Sequence, residues 1–324
     1  MLIARRLVQV LIAAVVVAVP FFHLYNVEKY AKDSFSYSAA AEKIYGVGGF
    51  REAVVDWLSL VFSRYESLGK IPLAISGSPW SLNVFGYNVS DPLAAVGASL
   101  AGGGFYWPFL SSVLLLTVLT LLFGRVFCGW LCPYHLVAEM NDKLRRLLGR
   151  MGLAPHDLRL KRGVKFFALV ILLALSFAAG SSLFSHIYPP LILGREVFYY
   201  AFYGVAGFGF FFILFLLFTE LTVSERWWCR YMCPGGALYS LLGSMRIVRL
   251  VRIDRDCNLC GECDKACPFG LLPMSDQMGM ECDNCGTCKN ACPLDAMEYR
   301  LMTVWAERRM IRGREAAGGI KNGR

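Results

Sequence analysis

Apolar residues are gathered along this chain in long unbroken runs with polar stretches between them. Leu7 to Tyr25, Phe105 to Phe123 and Val197 to Phe218 contain no charged residue, and Phe166 to Tyr188 contains only His186. Each run is about long enough to cross a hydrocarbon core of ~30 Å at 1.5 Å per residue, so four transmembrane helices are predicted. Pro20 sits near the end of the first, where a kink costs little. Arg5 and Arg6 before that run also fit a secretory signal peptide, but Phe21, Phe22 and Tyr25 continue it with no small-residue cleavage site after.

A different period follows the first run. Phe50, Ala53, Val54, Trp57, Leu58, Val61, Phe62 and Tyr65 recur at helical spacing, and Arg51, Glu52, Asp56, Arg64 and Glu66 take the opposite face. That pattern predicts an amphipathic helix lying on a membrane surface or against a partner. Gly46, Gly48 and Gly49 before it read as a hinge, and Asn88-Val89-Ser90 as an accidental sequon.

Composition strengthens the membrane reading. Apolar residues are 56% and aromatics 14% of the chain, and mean hydropathy is +0.48, far from a soluble ferredoxin. The net charge of +9 is placed asymmetrically. Arg125, Lys143, Arg145, Arg146, Arg150, Arg159, Lys161 and Arg162 lie between the second and third runs against only Glu139, Asp142 and Asp157, which predicts a cytoplasmic segment. Both termini then lie in the cytoplasm, in agreement with Arg5, Arg6 and the bases after the fourth run, Arg226, Arg230, Arg246, Arg249 and Arg252. The charge is read as this bias plus contact with anionic lipid, and no nucleic acid is expected as partner.

Candidate chemistry rests on the cysteines. Cys257-x2-Cys260-x2-Cys263-x3-Cys267-Pro268 and Cys282-x2-Cys285-x2-Cys288-x3-Cys292-Pro293 repeat one spacing, the signature of two [4Fe–4S] clusters in which the fourth Cys of each run serves the other cluster. One cluster is expected on Cys257, Cys260, Cys263 and Cys292, the other on Cys282, Cys285, Cys288 and Cys267. Zinc knuckles or a disulfide framework do not call for this doubled register. Such cubanes carry single electrons.

The other four cysteines are also paired. Cys128-x3-Cys132-Pro133 follows the second run and Cys229-x3-Cys233-Pro234 the fourth, so the chain reads as two pseudo-repeats. A separation of four places both sulfurs of a pair on one helical face. Together the pairs offer four thiolates, enough for a third cubane or a soft metal such as Cu(I); structural thiols or a redox-active dithiol are the plainer alternatives.

Arg125 to Pro133, Glu225 to Ser244 and the ferredoxin runs together resemble the NapH/MauN family of membrane ferredoxin-type quinol dehydrogenase subunits, and are similar to the C-terminal half of the NosR regulators. The likeness extends to Asp91-Pro92-Leu93-Ala94, Tyr188-Pro189-Pro190 and Gly194-Arg195, and the segment before Asp91 is longer than the NapH type leads one to expect. It implies electron flow from the quinone pool to a partner ferredoxin or cytochrome c of a respiratory complex, and on to a periplasmic reductase, at a bacterial or archaeal cytoplasmic membrane. Quinol chemistry needs an acid/base near an electron acceptor; His135, directly after the first Cys-x3-Cys-Pro, and Glu220, at the inner end of the fourth run, are the candidates. His23 and His186, at similar depth, are a weaker candidate pair for a b-type haem.

The expected fold is an α-helical four-span bundle with two pseudo-repeats, joined to a small α+β ferredoxin domain. The bounds are residues 1–25 for the first span, 26–104 for the periplasmic segment, 105–250 for spans two to four, 251–300 for the ferredoxin domain and 301–324 for a basic tail, a short helix followed by disorder. An accessory factor that reduces or holds copper for assembly of a cuproenzyme is the competing function.

Overall fold

The computed structural model describes residues 2–31, 50–64, 75–78, 81–84, 86–102, 107–152, 160–276, 278–306 and 309–310. The Gly46 to Gly49 hinge and the tail beyond 310 lie outside them. The chain forms two compact units, one of residues 1–9, 115–172 and 218–324, the other of 10–114 and 173–217.

Helix α1 spans Leu2–Ala31 and continues through Pro20. Its Ile3–Asn26 stretch is the one described segment both long and apolar enough to cross a membrane by itself. The second run is helix α4, Trp107–Phe123. The third departs from expectation: helix α6, Val164–Ala179, ends well before Tyr188, at a turn where Gly180 has φ +59°. The fourth is not one helix. Pro189–Tyr203 forms α7, closed by left-handed Gly204, and Phe208–Thr222 forms α8. The break is built in, because the Glu196 carboxylate accepts the Gly207 and Gly209 amides at 2.7 and 3.1 Å and so satisfies donors at the start of α8.

The amphipathic helix is present as α2, Phe50–Arg64. Its buried stripe is narrower than expected: Leu58 joins Leu24 and Tyr25 in a small core with Val54 and Val61 alongside, whereas Trp57 is 62% exposed. After it comes an unforeseen three-stranded antiparallel sheet, β1 Ile75–Ser78, β2 Ser81–Val84 and β3 Tyr87–Ser90, with the sequon in β3. Helix α3, Pro92–Ala101, starts on Asp91, whose Oδ1 accepts the Leu93 and Ala94 amides. The other oxygen of Asp91 accepts the Tyr188 hydroxyl at 2.9 Å.

In the other unit, helix α5 spans Pro133–Arg150 and helix α9 Pro234–Leu242. The ferredoxin domain follows with the α+β character expected. Strands β4, Val248–Arg252, and β5, Met297–Leu301, pair antiparallel around two short helices, α10 Glu262–Ala266 and α11 Thr287–Ala291.

Candidate iron–sulfur site

The two ferredoxin runs fold alike. In each, the residue before the second cysteine is left-handed, Leu259 at φ +60° and Asn284 at +52°, and so is the glycine after it, Gly261 at +76° and Gly286 at +75°. Left-handed residues alternating with right-handed ones turn successive backbone N–H groups into one concavity, the nest that receives anionic groups such as iron–sulfur clusters. A non-glycine residue held at positive φ costs energy, so the same strain twice marks a shape the surroundings enforce. Leu259 is half exposed with no side-chain role in view.

Cysteines of both runs share one core. Cys263, Cys282 and Cys288 are buried with Phe269, Leu271 and Met278, and Cys267 and Cys292 pack against them. Burial, together with Asp264, pushes the Cys263 thiol up to about 11, and burial does the same for Cys267, with Cys282 adding to it. Cys288 is raised by burial, then by Cys282 and Cys267. Cys267 and Cys263 of the first run thus lie near Cys282 and Cys288 of the second. Thiols so raised are protonated without metal, and ligation must displace those protons.

The Cys-x3-Cys-Pro segments are not α-helical. Phe127–Leu131 and Trp228–Met232 are π turns, closed by the Cys132 amide on the Phe127 carbonyl and the Cys233 amide on the Trp228 carbonyl, each at 2.8 Å. Proline explains where they stop: the residue before it is driven out of helical geometry, and Cys132 and Cys233 are extended at ψ 117°. Pro133 and Pro234 then open α5 and α9. The second thiol of each pair thus stands at a helix start, and Cys233 Sγ accepts the Gly236 amide at 3.3 Å.

These four thiols form one group. Cys132 is raised by burial and then by Cys128, with Cys233 contributing; Cys229 is raised by burial, Glu220, Cys233 and Cys132; Cys233 reaches about 12 through burial and Cys128. Each motif therefore senses the other. Among the described residues no three His, Cys, Asp or Glu side chains close in tightly enough to hold a single metal ion.

Both sets of cysteines meet. Cys229 packs against the ferredoxin core, and Asp283 lies so close to Gly129 that a Cβ there would fall 2.9 Å from the Asp283 carbonyl oxygen and Oδ2. Arginines hold the turn after Cys267: Arg230 donates to the Pro268 carbonyl at 2.7 Å, Arg162 to Phe269 and Gly270 at 3.0 and 2.7 Å. Arg125 donates to Glu281 Oε2 at 2.8 Å, a carboxylate also held by Lys165, and Arg246 donates to the Cys282 carbonyl at 3.0 Å. Arg125, Arg226, Arg246 and Lys165 are almost fully buried. Their charge balances carboxylates and carbonyls inside the protein, which corrects the assignment of Arg125, Arg226 and Arg246 to lipid contact and topology alone.

His135 is 2% exposed. Arg226 Nη1 lies 3.0 Å from its Nδ1, and Nε2 is 3.4 Å from Glu139 Oε1. The same Arg226 nitrogen lies 3.1 Å from Nε2, so it faces both ring nitrogens, and burial and Arg226 both lower the pKa of the ring. Glu220 is buried at 1% rather than solvated by an aqueous surface, and its carboxylate lies beside the buried Tyr134 hydroxyl. His23 and His186 have separate surroundings, His23 against the Phe202 ring at 5.8 Å and His186 near Arg195 at 3.4 Å.

The family model described as "4Fe-4S binding domain" matches residues 105–150 and 201–252, one Cys-x3-Cys-Pro motif in each segment. Ferredoxin-type protein NapH of Escherichia coli is 34% identical over 187 residues, 56% of this chain and 60% of that protein. Methylamine utilization ferredoxin-type protein MauN of Paracoccus denitrificans is 31% identical over 182 residues, 56% and 61%. The chain is similar to these ferredoxin-type proteins over part of its length. It spans about three-fifths of the length of these relatives. No solved structure matches it.

Proposed function

We propose that this protein is the membrane-anchored iron–sulfur subunit of a respiratory complex, taking electrons from quinol and passing them through three [4Fe–4S] clusters to a partner ferredoxin or cytochrome c that serves a periplasmic reductase. The observation that carries the reading is the packing of Cys229 against the core of Cys263, Cys282 and Cys288. It sets one thiol of the second Cys-x3-Cys-Pro motif against the ferredoxin cysteines. The match of a 4Fe-4S family model to the motif segments supports a cubane there over copper. Each cubane supplies one-electron transfer.

The chain's own residues do the rest. Exposed Phe211, Phe215 and Phe218 on α8, at i, i+4 and i+7, and Phe167 and Val170 on α6 support lipid-facing helices. A cavity of about 610 Å³ at the start of α6, walled by Phe166, Leu271, Met278 and Met280 with Arg162 and Glu281, suits a quinol ring close to Cys282. Of the two candidate proton acceptors Glu220 is the better placed. Its carboxylate is buried beside Tyr134 and Cys229, whereas the His135 ring is held by Arg226 and Glu139. The termini are proposed to be cytoplasmic.

In proteoliposomes, Cys132→Ser or Cys233→Ser is expected to abolish reduction of the ferredoxin clusters by a quinol while dithionite still bleaches them. Quinol-driven reduction at the parent rate in both variants would contradict the reading.

A further inference from the structure

Helix α5 buries three ionisable side chains beside Tyr134 and Ala138: His135 and Glu139 pair with each other, and Asp142 accepts Arg226 at 2.6 Å, while the partly buried Arg145 donates to the Glu220 carbonyl at 2.7 Å. Large apolar side chains face outward. Met140 is 66% exposed, Leu144 46%, Leu147 52% and, just past the helix, Met151 69%. Their spacing of i, i+4, i+7 and i+11 makes one stripe, opposite the buried face. Lys143, Arg146 and Arg150 are exposed along one flank of it, at i, i+3 and i+7.

We infer that α5 lies in the membrane plane as an interfacial helix, with the Met140–Leu144–Leu147–Met151 stripe among acyl chains and the three bases on anionic lipid phosphates. Water is a poor neighbour for four such side chains in a row, and a helix with this many charges cannot itself cross the bilayer. An apolar stripe with cations on its polar border is the form of an interfacial helix, whose Lys and Arg stems reach the headgroups. Charge complementarity selects the leaflet lipid: each base near an anionic surface contributes about 1 kcal/mol of attraction. Because Cys132 stands at the start of α5, the four-thiol group is held at interface depth. The inference rests on the membrane reading above.

The test uses the full cluster-loaded chain in nanodiscs of phosphatidylcholine and phosphatidylglycerol, with a photoreactive benzoylphenylalanine at Leu144 or Leu147. A probe at Leu114, which is 58% exposed on α4, reports the membrane reading separately. Lipid adducts are expected at all three sites, with phosphatidylglycerol enriched over its mole fraction at Leu144 and Leu147 alone. Lys143→Gln, Arg146→Gln and Arg150→Gln together should reduce that enrichment severalfold and leave the Leu114 adducts unchanged. Adducts at Leu114 without any at Leu144 or Leu147, or adducts to a second copy of the chain, would overturn the inference while sparing the membrane reading. Lipid adducts indifferent to headgroup would overturn the anionic assignment, and absence of lipid at all three sites would overturn both readings.

Discussion

Arg125 and Arg226 hold equivalent places in the two halves of the repeat, three residues before Cys128 and Cys229, and both guanidinium groups lie over the ring of Phe269, at 5.2 and 5.9 Å. Phe269 follows Cys267 and Pro268, so the turn after Cys267 is seated against both arginines. Each arginine is also tied to a carboxylate, Arg125 to Glu281 and Arg226 to Asp142. Removing one member of a buried pair leaves the other charge uncompensated, at a cost of about 3–5 kcal/mol. Arg125→Gln is expected near the lower end, because Lys165 still holds Glu281. Thermal unfolding followed by loss of cluster absorbance should show the drop, and an unchanged midpoint would refute it.

The arginines also mark what was and was not legible in the chain. The doubled spacing of the eight ferredoxin cysteines is legible because it is local, and α2 is legible because its period is local. The partner of Arg125 is 156 residues away and that of Arg226 84, so counting bases beside apolar runs could not separate buried ion pairs from lipid-facing charges. The break at Gly204 was hidden because apolar residues continue on both sides, and its cause, the Glu196 carboxylate, was read only as the edge of a run. Strands β1 to β3 are four residues each and rich in Ser and Asn, too short for alternation to stand out. The π turns needed coordinates, because Cys-x3-Cys-Pro fits an α-helical register equally well.

Glu139 should give the fold an acid limit. Burial works against its charge, but His135, Arg5 and Arg226 prevail and hold its carboxyl at about 2. A lowered folded-state value adds stability that is complete above the unfolded value near 4.5 and fades as pH falls toward 2, on the order of 3 kcal/mol for one buried group. Parent protein should therefore be more stable than Glu139→Gln at pH 6, and the gap should close progressively below pH 4.5. A constant gap from pH 6 to pH 3 would show that the ion pairs with Arg5 and Arg6 do not set it.

Gly129 tests the meeting of the first motif with the second ferredoxin run. A methyl group there meets a backbone carbonyl and a carboxylate oxygen at 2.9 Å, and neither is the far end of a flexible chain. Gly129→Ala should cost about 1–3 kcal/mol, the range for overpacking a tight site, read as faster proteolysis within Cys282 to Cys292. Cleavage at the parent rate would mean the contact is loose.

Leu58 and Trp57 separate packing from mere hydrophobicity on α2. Leu58→Ala, in the small core with Leu24 and Tyr25, should cost about 2–5 kcal/mol. Trp57→Ala, at an exposed position, should stay within about 0.5 kcal/mol. Equal losses in chemical denaturation would contradict the placement of the stripe.

The central claim is that the four Cys-x3-Cys-Pro thiols hold a redox cluster beside the two of the ferredoxin domain. Iron per chain in anaerobically purified protein decides it. The account predicts about twelve irons in the parent and about eight when Cys128, Cys132, Cys229 and Cys233 are all serine, with the remaining clusters still reducible by dithionite. About eight irons in both proteins would contradict it.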